Sequence, residues 1–95
     1  MSLRRTHTMK KNPEVIVEEL KQILVNDLFV DLPIDRMRES DLLATGIGLD
    51  SVGLIELVML VEEKYAITIE ERRDVPSEEK TLGWFASYIA SKLPG

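Results

Sequence analysis

Apolar residues recur at Ile16, Leu20, Ile23, Leu24 and Leu28, a spacing of three to four that places them on one side of a helix. Glu18, Glu19, Lys21, Gln22 and Asp27 fill the other side. Asn12 stands where an N-cap belongs, Pro13 at the first helical position and Glu14 in the first turn. These signals predict a first helix over 13–29, with Pro33 disfavouring helix just before it.

The period is lost between 30 and 49. Val30, Leu32, Ile34, Met37, Leu42, Leu43, Ile47 and Leu49 are scattered through this connection. A loop this long in a small domain is usually functional or packs as a unit, and its apolar content predicts that it lies over the helices. A turn of helix is expected near 36–42. Gly46 and Gly48 supply permissive backbone just before the next element.

A second helix is expected over 51–65. Val52, Leu54, Ile55, Leu57, Val58, Met59, Leu60, Val61 and Tyr65 are more apolar residues than one core-facing stripe needs. Either this helix is central or part of its apolar surface is kept for a ligand or partner. The alternation at 67–69 is strand-like, but no second segment exists to pair with it. The stretch from Ala66 to Lys80 therefore reads as a loop with a short helical turn near 76–80. Thr81 caps a final helix over about 81–93, with Leu82, Trp84, Phe85, Tyr88 and Ile89 on its apolar face and Pro94-Gly95 at its end. The pattern predicts an all-α fold, a small four-helix bundle with three main helices, a short third helix and a long loop between the first two.

The 95 residues suit one domain, with no cysteine and so no disulfide framework or thiolate metal site. Absence of cysteine fits a reducing compartment. No apolar run approaches the roughly 20 residues that cross a bilayer, and no apolar signal core stands at the N-terminus, so a cytoplasmic location without membrane insertion is expected. Net charge is −5, unevenly spread: Arg4, Arg5, Lys10 and Lys11 lie in a stretch without acids, which leaves the remainder strongly acidic. Residues 1–11 read as a disordered basic tail and 12–95 as the domain. An acidic domain repels nucleic acid and attracts partners with basic patches.

Ser51 sits where the glycine-containing loop meets the apolar helix. The simplest reading is a helix cap, a role serine and aspartate often fill. Asp50 precedes it and is itself a cap candidate. A serine nucleophile needs a base, and the single histidine, His7, lies in the tail; position 49 is Leu where a nucleophile elbow requires Gly. Glu62 and Glu63 are adjacent and point in different directions around a helix, so no metal site is expected. A serine at a helix start also suits a phosphodiester, because free N–H groups and the positive dipole end favour negative charge there.

Leu49-Asp50-Ser51-Val52, continued by "GLIELVMLVEEKY", resembles the acyl carrier protein family, which includes the peptidyl carrier domains. Val52 takes the place of the leucine in the family's D-S-L attachment motif. The likeness runs through Glu56, Leu57, Val58, Glu62, Glu63 and Tyr65 to Ile69 and to "TLGWFASYI", covering about residues 12–93. The resemblance implies that Ser51, with Asp50 as its motif neighbour, carries 4′-phosphopantetheine. A phosphopantetheinyl transferase would add that arm from coenzyme A with Mg²⁺. The arm's thiol would hold acyl or aminoacyl groups as thioesters for loading ligases and synthases, and the monomeric carrier would itself catalyse nothing. Leu57, Val58, Val61, Phe29 and Phe85 would line the core, where an acyl chain can insert. Val52, Ile55 and Met59 would form an exposed strip beside the arm. Asp50, Glu56, Glu62 and Glu63 would meet basic patches on partner enzymes, speeding encounter more than adding affinity.

Gly53 stands where carriers of fatty-acid synthesis often have an acid, Lys64 follows Glu62-Glu63, and Arg72-Arg73 bring positive charge after the second helix. The segment between Ile69 and Thr81 is also slightly longer. These departures point to a specialised carrier, for a secondary metabolite, a lipid modification or an amino acid. The competing readings are an unmodified interaction module with the same fold and a small serine hydrolase.

Overall fold

A computed structural model describes residues 12–69 and 80–93. Three α-helices, α1 (Pro13–Asn26), α2 (Ser51–Tyr65) and α3 (Leu82–Lys92), pack around one core, with a 3-10 turn at Ile34–Arg36. No strand occurs among the described residues, and 67–69 is loop as expected. The short helical turn expected near 76–80 falls almost wholly outside the described residues, as do the basic tail and Arg72-Arg73.

The first helix starts as its sequence dictates. Asn12 accepts from the Val15 amide through Oδ1 at 2.9 Å. It buries Ile16, Val17, Leu20, Ile23 and Leu24, mainly against α3. It ends at Asn26, three residues short of the expected boundary, and Pro33 is too distant to be the cause. The Asp27 and Leu28 amides both turn back to the Ile23 carbonyl, at 2.9 and 3.1 Å, and Val30 N–H closes on Leu24 O at 2.9 Å. The reversal places Phe29 in the left-handed region at φ 58. Its ring is 80% exposed, which corrects the expectation that Phe29 lines the core.

The long connection behaves as a packed unit. Met37, Leu43, Ile47 and Leu49 are buried with the helix residues Leu57, Val61, Phe85 and Ile89. Gly46 is required here, since a Cβ would lie 2.9 Å from both N and O of Leu42, and Gly48 takes a left-handed φ of 102. The loop also docks on the start of α3. Leu82 N–H donates to Asp41 O at 3.0 Å and Gly83 N–H to Glu39 O at 2.8 Å, while Leu43 N–H donates to Lys80 O at 3.0 Å. An isolated antiparallel bridge joins Leu42 and Thr81. Thr81 is the cap of α3, as expected, accepting from Trp84 N–H at 3.0 Å.

The last turn of α2 is held by two side chains. Tyr65 is buried and its hydroxyl donates to Glu19 Oε1 on α1 at 2.5 Å. Glu62 is half-buried, and its Oε2 accepts from Ile69 N–H at 2.7 Å. Its carbonyl takes the amides of Ala66, which is left-handed at φ 56, and of Ile67 at 3.3 Å. The chain leaving α2 is thereby turned so that Ile69 re-enters the core.

Candidate functional site

Asp50 and Ser51 divide the two roles that the sequence left open between them. Asp50 is the N-cap of α2: its backbone is extended, its Oδ1 accepts from Gly53 N–H at 2.7 Å and its carbonyl from Leu54 N–H at 2.9 Å. Ser51 is the first helical residue and is exposed. Its hydroxyl makes no hydrogen bond to another described residue. The capping role thus belongs to the aspartate, and the serine hydroxyl is left for solvent or for chemistry.

The amides around it differ from those at the start of α3. There, Leu82 and Gly83 N–H groups are taken by loop carbonyls, Trp84 N–H by the cap and Phe85 N–H by Thr81 O at 3.1 Å. In α2 the amides of Ser51 and Val52 have no acceptor among the described residues. Unpaired amides and the helix dipole, equivalent to about half a positive charge, face the serine's side of the turn. The setting can accept a phosphate oxygen.

Behind Ser51 the helix presents two surfaces. Leu54, Leu57, Val58, Val61 and Tyr65 face the core. Val52, Ile55 and Met59 are 61, 56 and 62% exposed, a stripe at helical spacing that begins beside the serine. The three exposed large apolar side chains thus lie in one row along α2.

Two open grooves flank this stripe. A smaller one, about 410 Å³, lies between the turn after α1 and the start of α2, lined among others by Phe29, Asp31, Asp50, Val52, Gly53 and Glu56. A larger one, about 860 Å³, runs along the end of α1 and the middle of α2, with Asp27, Leu28, Glu56, Met59, Glu63 and Ile67 in its wall. Leu28 and Glu56 border both. All charged residues lining either groove are acids.

Glu56 and Glu63 are exposed. Glu62 differs: one of its oxygens is committed to the Ile69 amide, so its first task is to fix the exit from α2. Gly53 also has a local reason. A Cβ there would stand 3.2 Å from Asp50 Oδ1 and 3.1 Å from Leu49 Cδ2, pressing on the capping carboxylate.

Phe29 is the residue that sequence reasoning misplaced. No glycine lies between Asn26 and Pro33 to take the left-handed position that ends α1, so some side chain had to adopt it, but which one was not legible. No group of three or more His, Cys, Asp or Glu side chains arranged to hold a metal occurs among the described residues. No helix among them is long and apolar enough to cross a membrane. No protein-family model matches the chain.

Proposed function

We infer that the protein is a carrier whose Ser51 bears a covalent 4′-phosphopantetheine arm, serving a specialised biosynthetic route rather than central fatty-acid synthesis. One observation carries this reading. Ser51 is exposed at the first position of α2 while Asp50 does the capping, so the serine has no structural employment at a place well suited to a phosphodiester.

The residues present fit the group. Ser51 Oγ would supply the ester oxygen, bonding to the phosphorus next to pantetheine as the pyrophosphate bond of coenzyme A breaks and adenosine 3′,5′-bisphosphate leaves, with the hydroxyl proton passing to a base on the transferase. The Ser51 and Val52 amides would face the phosphate. When attached, the arm supplies a terminal thiol that carries an acyl or aminoacyl group as a thioester. Asp50 and Glu56 repel a phosphodiester rather than grip it, but the link is covalent and needs no binding energy. Their effect would be to keep the base of the arm off the surface and to attract basic partners.

Val52, Ile55 and Met59 would then be the surface read by the transferase and by loading enzymes. Methionine is suited to a face that meets several partners in turn. The test is direct. The protein is incubated with coenzyme A, Mg²⁺ and a broad-specificity phosphopantetheinyl transferase and weighed intact. A mass gain of one phosphopantetheinyl unit, absent in Ser51→Ala, is expected. No gain, or a gain that survives Ser51→Ala, overturns the reading and leaves an unmodified interaction module in its place.

A further inference from the structure

Phe29 carries two costs at once. At φ 58 its backbone lies where a Cβ is crowded and where glycine or asparagine is the usual occupant. Its side chain, 80% exposed, recovers almost nothing by burial. The conformation is nevertheless fixed, by Val30 N–H on Leu24 O and Leu28 N–H on Ile23 O. The outcome is an exposed ring on a fixed backbone at the smaller groove, which Phe29 lines together with Asp50, Val52 and Gly53 from the start of α2. A residue that is both strained and exposed, in a groove shared with both chain neighbours of the candidate attachment serine, is a candidate for function over stability.

The occupant is defined by what surrounds the ring. Asp31, Asp50 and Glu56 line the same groove and no lysine or arginine does; the neighbouring groove repeats the pattern with Asp27, Glu62 and Glu63. A partner surface that seats here must bring positive charge around an apolar recess. Aromatic side chains, phenylalanine among them, are enriched in the buried core of protein–protein interfaces.

We propose that Phe29 is the apolar anchor for the enzyme that modifies Ser51, inserting into a hydrophobic pocket rimmed by that enzyme's Lys or Arg side chains. Phe29 sets the affinity of the encounter and takes no part in the chemistry. The proposal rests on the carrier reading of Ser51.

Initial rates of coenzyme A-dependent modification by a broad-specificity phosphopantetheinyl transferase with Mg²⁺ test it. The full chain is compared with Phe29→Gly, Phe29→Trp and Val15→Ser, the last a control at an exposed apolar residue near the opposite end of α1. Phe29→Gly should raise KM for the carrier at least about tenfold, the loss typical of an interface anchor, with kcat nearly unchanged. The same variant should melt about 4 °C higher, because glycine relieves the left-handed strain. Phe29→Trp should keep KM close to that of the unaltered protein, and Val15→Ser should change nothing.

Equal KM values for the unaltered protein and Phe29→Gly overturn the anchor while leaving the carrier reading intact. Failure of the unaltered protein to be modified overturns both. A lower melting temperature for Phe29→Gly, with Val15→Ser losing rate in parallel, assigns the ring to the fold and overturns the proposal.

Discussion

The hydroxyl of Tyr65 donates a 2.5 Å hydrogen bond to Glu19 Oε1, joining the last turn of α2 to the middle of α1 across 46 residues of chain. Burial first, then the hydrogen bond and the charge of Glu19, push the phenol's ionisation well above its ordinary value. The folded state therefore holds this proton more tightly than the unfolded chain, whose tyrosines titrate near pH 10. The stabilisation is complete below that pH and is lost as pH rises beyond it. Tyr65→Phe should cost about 1.5 kcal/mol at neutral pH, the range for a bond to a charged group. The gap in urea stability between the two proteins should narrow above about pH 10, and a constant gap to pH 12 would contradict the assignment.

Asp50 and Ser51 should respond oppositely in stability and in modification. Asp50→Ala removes the acceptor of the Gly53 amide and should lower stability by about 1 kcal/mol. Ser51→Ala should stay within about 0.5 kcal/mol of the unaltered protein, as expected for an exposed side chain with no partner in the fold. Thermal melts of the two variants side by side decide this, and a marked loss for Ser51→Ala would return the capping role to the serine.

Glu62 and Glu63 are neighbours with different tasks. Glu62→Ala strands the amide of buried Ile69 and should cost about 1–2 kcal/mol. Glu63→Ala should be nearly neutral for stability but should slow association with a basic transferase. That slowing should fade as salt is raised toward about 1 M, where screening acts within about 3 Å. Denaturant melts together with modification rates at two ionic strengths separate the pair.

Met59 is the middle of the exposed stripe. Met59→Glu should leave the far-ultraviolet circular dichroism unchanged and cut the modification or loading rate several-fold, by putting a charge into an apolar contact worth about 1–3 kcal/mol when buried. Loss of helicity in this variant would mean that Met59 belongs to the core.

Much of this architecture is legible in the residues. Asn12, Asp50 and Thr81 are side chains that can accept an orphan amide, and each caps the helix that follows it. Helical spacing alone showed only a surplus of apolar residues on α2; the division into Leu57 and Val61 for the core and Val52, Ile55 and Met59 for an exposed strip came from the resemblance, and the burial of these residues follows it. The end of α1 was not legible, since no glycine or nearby proline marks it and the stop is made by amides folding back on Ile23 and Leu24. The same gap hid Phe29, whose hydrophobicity argues for the core while its backbone turns it out. The bond from Ile69 N–H to Glu62 was not legible for a related reason: an acid on a helix surface reads as solvated until the chain beyond it is seen to return. The arm proposed for Ser51 rests on the resemblance at Asp50-Ser51, since spacing and periodicity do not name a modification.

Two helix starts in one small molecule are finished in opposite ways. The amides of Leu82 and Gly83 are sealed by carbonyls some 40 residues earlier in the chain, whereas those of Ser51 and Val52 have no acceptor among the described residues. Deuterium from solvent should enter the second pair quickly, without any unfolding, and the first pair only when loop and helix come apart together. The loop of 37–49 and the start of α3 would then open as one unit. The serine's turn can meet a partner while the rest of the domain stays closed.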